Sequence, residues 1–179
     1  AARPDLIATM VAVSVPHPGA FLRAMLSSGQ LPRSSYMGLI QLPVLPELVM
    51  RRMRRRMDRI LVRSGMSAEA IARVYTEVID AGALTTALHW YRGLPFTGPG
   101  AARGRVEVPV THVWSTGDPF LTRRGADLSG RFVTGDYRLA VLDGSHWLPE
   151  EHPAELAELI IERAESGGPS SDRRGGQRP

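Results

Sequence analysis

The chain has 179 residues, 43% hydrophobic and 22% charged, a balance typical of one ordinary globular domain or two small ones. It has no cysteine, which excludes disulfides and thiolate metal sites. Its longest apolar run, Leu6 to Val15, falls well short of the ~18 residues of a membrane-spanning helix. The net charge is +4, and all 22 basic residues are arginine; so modest an excess does not by itself require an anionic partner. No basic-then-apolar leader opens the sequence, so the expected location is cytoplasmic.

Taken in order, Ala1 to Arg3 reads as the end of a helix, and Leu6 to Val15 as a buried parallel strand. Pro16-His17-Pro18-Gly19 closes that strand, because proline cannot donate to a ladder. A helical texture follows: a short helix over 20–28, an irregular proline-containing stretch over 32–46, and one long helix over 47–63. In the long helix Val49, Met50, Met53, Met57, Ile60 and Leu61 recur at three- and four-residue spacing and predict a core-facing stripe. Six arginines fall between Arg51 and Arg59. With no aromatics among them they read as a solvated face, not a nucleic-acid patch. Gly65 ends the helix, Ser67 caps the next, and Ile71, Val74, Tyr75, Val78 and Ile79 give it an apolar face. A helix over 83–92 carries His89-Trp90-Tyr91-Arg92, and Gly93 to Gly100 reads as a linker.

The chain then returns to strands. Val106 to Ser115 predicts one, 120–132 a helix, 137–142 another strand, and Pro153 to Ala164 a closing amphipathic helix with Leu156, Leu159 and Ile160 on one side. From Ser166 onward Gly, Pro, Ser and Arg dominate and predict disorder. The alternation is that of an α/β protein with an all-helical insertion.

In open parallel sheets, function gathers at the carboxyl ends of the strands. Asp118 and His146 both fall there, 28 residues apart, each just past a predicted strand. Imidazole exchanges protons near neutral pH, and a carboxylate beside it fixes the ring's tautomer and stabilises its protonated form. Each alone is an ordinary turn residue; the pair in matching positions is what points to a site.

The segments Val110 to Asp118 and Val141 to Glu151 resemble the acid-bearing and base-bearing loops of α/β-hydrolases, most closely of the epoxide hydrolase branch. Residues 20–96 resemble the helical cap inserted between core strands in that fold. Epoxide hydrolases place two cap tyrosines over the active site. One lies in a pattern like Asn-Trp-Tyr-Arg, similar to His89-Trp90-Tyr91-Arg92; the other precedes Gln-x-Pro, similar to Tyr36 with Gln41-Leu42-Pro43. Two phenols suit a reaction in which a strained oxygen leaving group is stabilised while a weak carboxylate attacks. The sequence departs from the pattern at His89. It also holds neither a Gly-x-Asp-x-Gly nucleophile elbow nor a His-Gly-x-Pro oxyanion segment, and Gly125 to Gly130 is one residue too long to serve as the elbow.

The resemblance implies a partial α/β-hydrolase fold, with a parallel-sheet core, an inserted all-helical cap and the N-terminal part of the core missing. The expected divisions are 1–19, core strand and preceding helix end; 20–96, cap; 97–165, C-terminal core; and 166–179, tail. It implies His146 as general base, Asp118 as its orienting acid, and Tyr36 and Tyr91 as epoxide oxygen donors. No nucleophile, cofactor or metal ligand is expected in this chain. The expected partners are an epoxide or ester, water, and a chain supplying the missing core, with no nucleic acid and no membrane. An esterase or dehalogenase of the same fold, or a non-catalytic remnant or split-protein piece, stands as the alternative. The fragment alone is expected to be inactive.

Overall fold

The computed structural model describes residues 4–167. Three parallel strands, β1 (Met10–Val13), β2 (Val110–Ser115) and β3 (Tyr137–Leu142), lie side by side in that order, with Met10 opposite Val110 and Val110 opposite Tyr137. All six residues of β2 are buried, as the middle strand of a sheet covered on both faces requires. The first strand is shorter than its apolar run predicts. Pro4–Leu6 forms a 3₁₀ turn, the ladder opens only where the Met10 amide reaches the Pro109 carbonyl, and Ser14 turns away at φ 50. The second strand is likewise trimmed from Val106 to Val110, leaving one isolated bridge between Val106 and Val133, because Pro109 has no amide to donate.

Eight helices occupy the crossover from β1 to β2: α1 (Pro18–Ser27), α2 (Gln30–Arg33), α3 (Ser35–Ile40), α4 (Leu45–Arg52), α5 (Arg54–Arg63), α6 (Ala68–Arg73), α7 (Leu84–Gly93) and α8 (Gly98–Arg103). A π-helical stretch, Val74–Asp80, continues α6. Two stretches predicted to be irregular are therefore helical. Their prolines are tolerated because Pro32, Pro46 and Pro99 fall in first turns, where a missing amide leaves no bond unmade.

The predicted long helix is instead two, parted at Met53, whose backbone sits at φ −106, ψ 43. Each half serves a different neighbour. Met50 packs on the cluster of Ile40, Ile79, Leu84 and Leu88, whereas Leu61 packs on Met66, Ala70 and Ile71. The stripe is only partly sheltered: Met53 is 41% exposed and Ile60 45%. Ser67 caps α6 as expected, accepting from the Ala70 amide at 3.1 Å.

Between β2 and β3 lies α9 (Arg123–Ser129), with a 3₁₀ turn over Gly130–Phe132; after β3 come α10 (Leu148–Glu151) and α11 (Pro153–Ser166). The helix predicted from 120 starts later because Phe120 and Leu121 donate their amides to the Asp118 side chain, which holds them in a turn. One face of the sheet packs Val113 against Leu148 and Leu156. On the other, α1 and α9 meet around Ala20, Leu128 and Phe132. On α11, Leu156 is buried as predicted, while Ile160 is 45% exposed. The tail expectation begins at Ser166, which is the last residue of α11, with Gly167 as its C-cap; residues 168–179, and the helix end expected over Ala1 to Arg3, lie outside the described residues.

Candidate active site

The loop after β2 and the loop after β3 are laced together. The Thr116 amide donates to the Leu142 carbonyl and the Gly117 amide to Gly144, while the Thr116 hydroxyl bonds the Asp143 carboxylate at 2.6 Å. A side chain at Gly117 would meet the Gly144 carbonyl oxygen at 2.7 Å, so only glycine admits this approach. The lacing carries Asp118 and His146 into contact, with His146 Nδ1 2.8 Å from Asp118 Oδ2.

Asp118 is built for one task. Its side chain is fully buried, and Oδ1 accepts the Phe120 and Leu121 amides at 2.8 and 2.9 Å. Those bonds satisfy one oxygen and aim the other at the imidazole. With Nδ1–H donating to the carboxylate, Nε2 keeps its lone pair and is free to accept a proton. His146 is partly open to solvent and stands edge-on to Phe120 and Trp147, with ring centroids 5.0 and 5.3 Å away.

The two sequence-predicted tyrosines converge on the same place from α3 and α7. Tyr36 and Tyr91 meet edge to face at 6.1 Å, and Tyr36 meets Phe120 at 5.8 Å. A cavity of about 290 Å³ is bounded by Ser14, Tyr36, Tyr91, Phe120, Leu121 and His146, among others. Burial, and after it the neighbouring Tyr91 phenol, raises the Tyr36 hydroxyl well above the usual phenol range. Tyr36 thus stays protonated and can donate to an oxygen in the cavity. No cluster of metal-ligating side chains occurs among the described residues.

The motif residues around the tyrosines hold them together. The Gln41 side-chain amide donates to the Tyr91 carbonyl at 2.9 Å. Arg92 clasps Glu47 with two bonds of 2.7 and 3.0 Å and donates to the carbonyls of Ile40 and Leu42. That fork joins α7 to α3 and α4, and it is the planar, bidentate geometry guanidinium supplies. His89, the departure from the motif, is exposed.

Three further residues serve the site without a sequence signal of their own. Gln30, almost wholly buried, donates to the Phe120 carbonyl at 2.7 Å and accepts from the Thr122 amide at 2.8 Å. Arg33 donates to the Asp118 carbonyl at 2.7 Å. Both brace the loop after β2 from the helical insertion across about ninety residues of sequence. Ser14, inside the predicted first strand, lines the cavity with its hydroxyl buried and unpartnered among the described residues.

No family model matches the sequence. Among curated proteins, the AB hydrolase superfamily protein YfhM of Bacillus subtilis is 30% identical over 168 residues, 89% of this chain and 58% of its own length. Epoxide hydrolase 2 of Caenorhabditis elegans is 30% identical over 172 residues, 89% of this chain and 48% of that protein. Among solved structures, an epoxide hydrolase of Bacillus megaterium superposes with a TM-score of 0.72 at 19% identity, covering 92% of this chain and 63% of the other. The chain carries part of an α/β-hydrolase fold. Within that superfamily its sequence is of the epoxide hydrolase-like kind. It spans about half of the curated relatives it matches.

Proposed function

We propose that this segment supplies the cap, acid and base of an epoxide hydrolase, converting an epoxide and water to a diol. The observation that carries the reading is the Asp118–His146 pair opening, with Tyr36 and Tyr91, onto one cavity. An aspartate from polypeptide outside these 179 residues attacks an epoxide carbon, and that carbon–oxygen bond breaks. The oxygen is held by Tyr36 and Tyr91 and takes a proton there, leaving an ester on the aspartate. His146 Nε2 then takes a proton from water, and the hydroxide attacks the ester carbonyl. The acyl bond breaks, the released oxygen takes the carboxylic proton, the diol leaves with the carboxylate restored, and the proton held by His146 returns to the tyrosine that gave one up. In this reading residues 20–96 form the cap and 97–165 the C-terminal core. The unpaired outer edge of β1 is where the rest of the sheet joins, since an open parallel edge seeks a partner.

The test is His146→Gln, assayed together with the polypeptide that carries the nucleophile. The expected result is an ester that accumulates, seen as a mass increase equal to the epoxide, with turnover abolished. Turnover at the wild-type rate would remove His146 from the mechanism. Hydrolysis of an activated ester without any action on an epoxide would move the assignment to an esterase of the same fold.

A further inference from the structure

The cap carries a surface that epoxide chemistry does not use. From Leu45 to Arg63, across α4 and α5, seven arginines stand against two carboxylates, Glu47 and Asp58. Seven less two is +5, more than the +4 of the whole chain. Both carboxylates are already engaged, Glu47 by Arg92 and Asp58 by the Tyr75 hydroxyl at 2.6 Å. Of these seven arginines only Arg54 forms an ion pair among the described residues, with Asp80. The other six, Arg51, Arg52, Arg55, Arg56, Arg59 and Arg63, make none, and all are exposed.

The same two helices also expose aliphatic side chains. No residue of α5 is buried; Val62 is 58% exposed and Ile60 45%. Leu45 and Leu48 of α4 are 42% and 40% exposed, and Val44, just before it, is 71% exposed. Two consecutive helices crowded with like charge and exposed aliphatic groups are costly in water alone. The same combination is what lies stably at an anionic bilayer surface, with guanidiniums on the phosphates and aliphatic groups among the acyl carbonyls.

We infer that the α4–α5 face docks this chain onto the surface of an anionic phospholipid membrane. A nucleic acid fits the surface less well, since it carries no aromatic ring on which a base could stack and its exposed aliphatic groups would remain in water. The expectation of no membrane partner came from the lack of a spanning segment, and indeed no described helix is long and apolar enough to cross a membrane. Lying on a surface needs neither length nor continuous apolarity. The consequence deepens the proposed activity, on which only this consequence rests: apolar epoxides dissolve in lipid, so a cap resting on the bilayer takes its substrate from there.

The test is flotation of the chain with vesicles of phosphatidylcholine alone, or with roughly one-third phosphatidylglycerol, at low and high salt. Docking predicts binding to the anionic vesicles only, weakened by salt. The triple variant Arg55→Gln, Arg59→Gln, Arg63→Gln should lose it by roughly 100-fold. Val62→Gln with Leu48→Gln should weaken it at unchanged charge, while Arg131→Gln, on a distant 3₁₀ turn, should not. Circular dichroism melts check that each variant folds. Failure to float with anionic vesicles, equal binding to neutral ones, or retention of single-stranded DNA alone would overturn the inference. None of these outcomes bears on His146 chemistry, so the two readings fail separately.

Discussion

Gly65, at the end of α5, sits so close to Ser145 in the loop after β3 that a β-carbon on the glycine would overlap the serine side chain. Its φ of 94° lies in the left-handed region that other residues avoid. One backbone position thus closes α5 and makes room for the residue next to His146. Trp147 tightens the same seam, donating from its indole to the Ser64 hydroxyl at 3.0 Å. Gly65→Ala should destabilise the fold by roughly 2 kcal/mol or more, through strain and overlap together. Thermal unfolding measures it. An unchanged midpoint would mean that the base loop yields freely and that the seam is not a constraint.

Asp118→Asn tests the orientation of the imidazole. The amide oxygen can still accept from Phe120 and Leu121, which turns the NH₂ group toward His146 Nδ1. Nδ1 then has to accept, and the proton moves to Nε2, the atom needed as a base. Nitrogen chemical shifts of His146 should show this change of tautomer in the isolated chain. Turnover in the complemented enzyme should fall by roughly 10³-fold or more. Wild-type shifts in the variant would mean that the 2.8 Å contact does not set the tautomer.

Gln30→Leu keeps the size of a buried side chain and removes its bonds. It leaves the Phe120 carbonyl and the Thr122 amide without their partners, a loss of roughly 1–3 kcal/mol. The damage should be local as well as global. Hydrogen exchange at the Thr122 amide should accelerate beyond what the lower global stability explains. Exchange that tracks global stability alone would show that Gln30 does not hold the acid loop.

His112, in the middle of β2, is buried and lowered to about 4 by desolvation. Its folded value lies below its ordinary 6.5, so the unfolded chain binds the proton more readily. Stability associated with neutral His112 is therefore complete above pH 6.5 and lost as pH falls from there toward 4. The loss should be on the order of a few kcal/mol. Denaturant titrations across that window, compared with His112→Gln, should show a steeper decline for the wild type. Parallel declines would place the acid sensitivity elsewhere.

The Asp118–His146 pairing was legible because β-strands and loops carry local signals. Val110–Ser115 is rich in β-branched residues, Leu139–Leu142 is a short apolar run, and each is followed by turn residues. In a parallel sheet, residues just past neighbouring strands arrive side by side whatever lies between them. The tyrosines were legible only through resemblance, since nothing in the spacing of Tyr36 and Tyr91 says that their rings meet. The strand ends were overextended because pairing stops where a partner lacks a donor, and Pro109 limits both β1 and β2 at once.

What the sequence determined by itself was local: which segments are strands or helices, where glycine and proline end them, and which residues can exchange a proton. Helix α5 marks the boundary of that knowledge. Its Met57, Ile60 and Leu61 continue a predicted buried stripe, yet none of its residues is buried, because burial depends on what a neighbouring element offers, not on period. The brace from Gln30 and Arg33 to the acid loop was equally invisible. It joins residues some ninety positions apart, and only the folded chain determines which distant carbonyl a buried amide or guanidinium will reach.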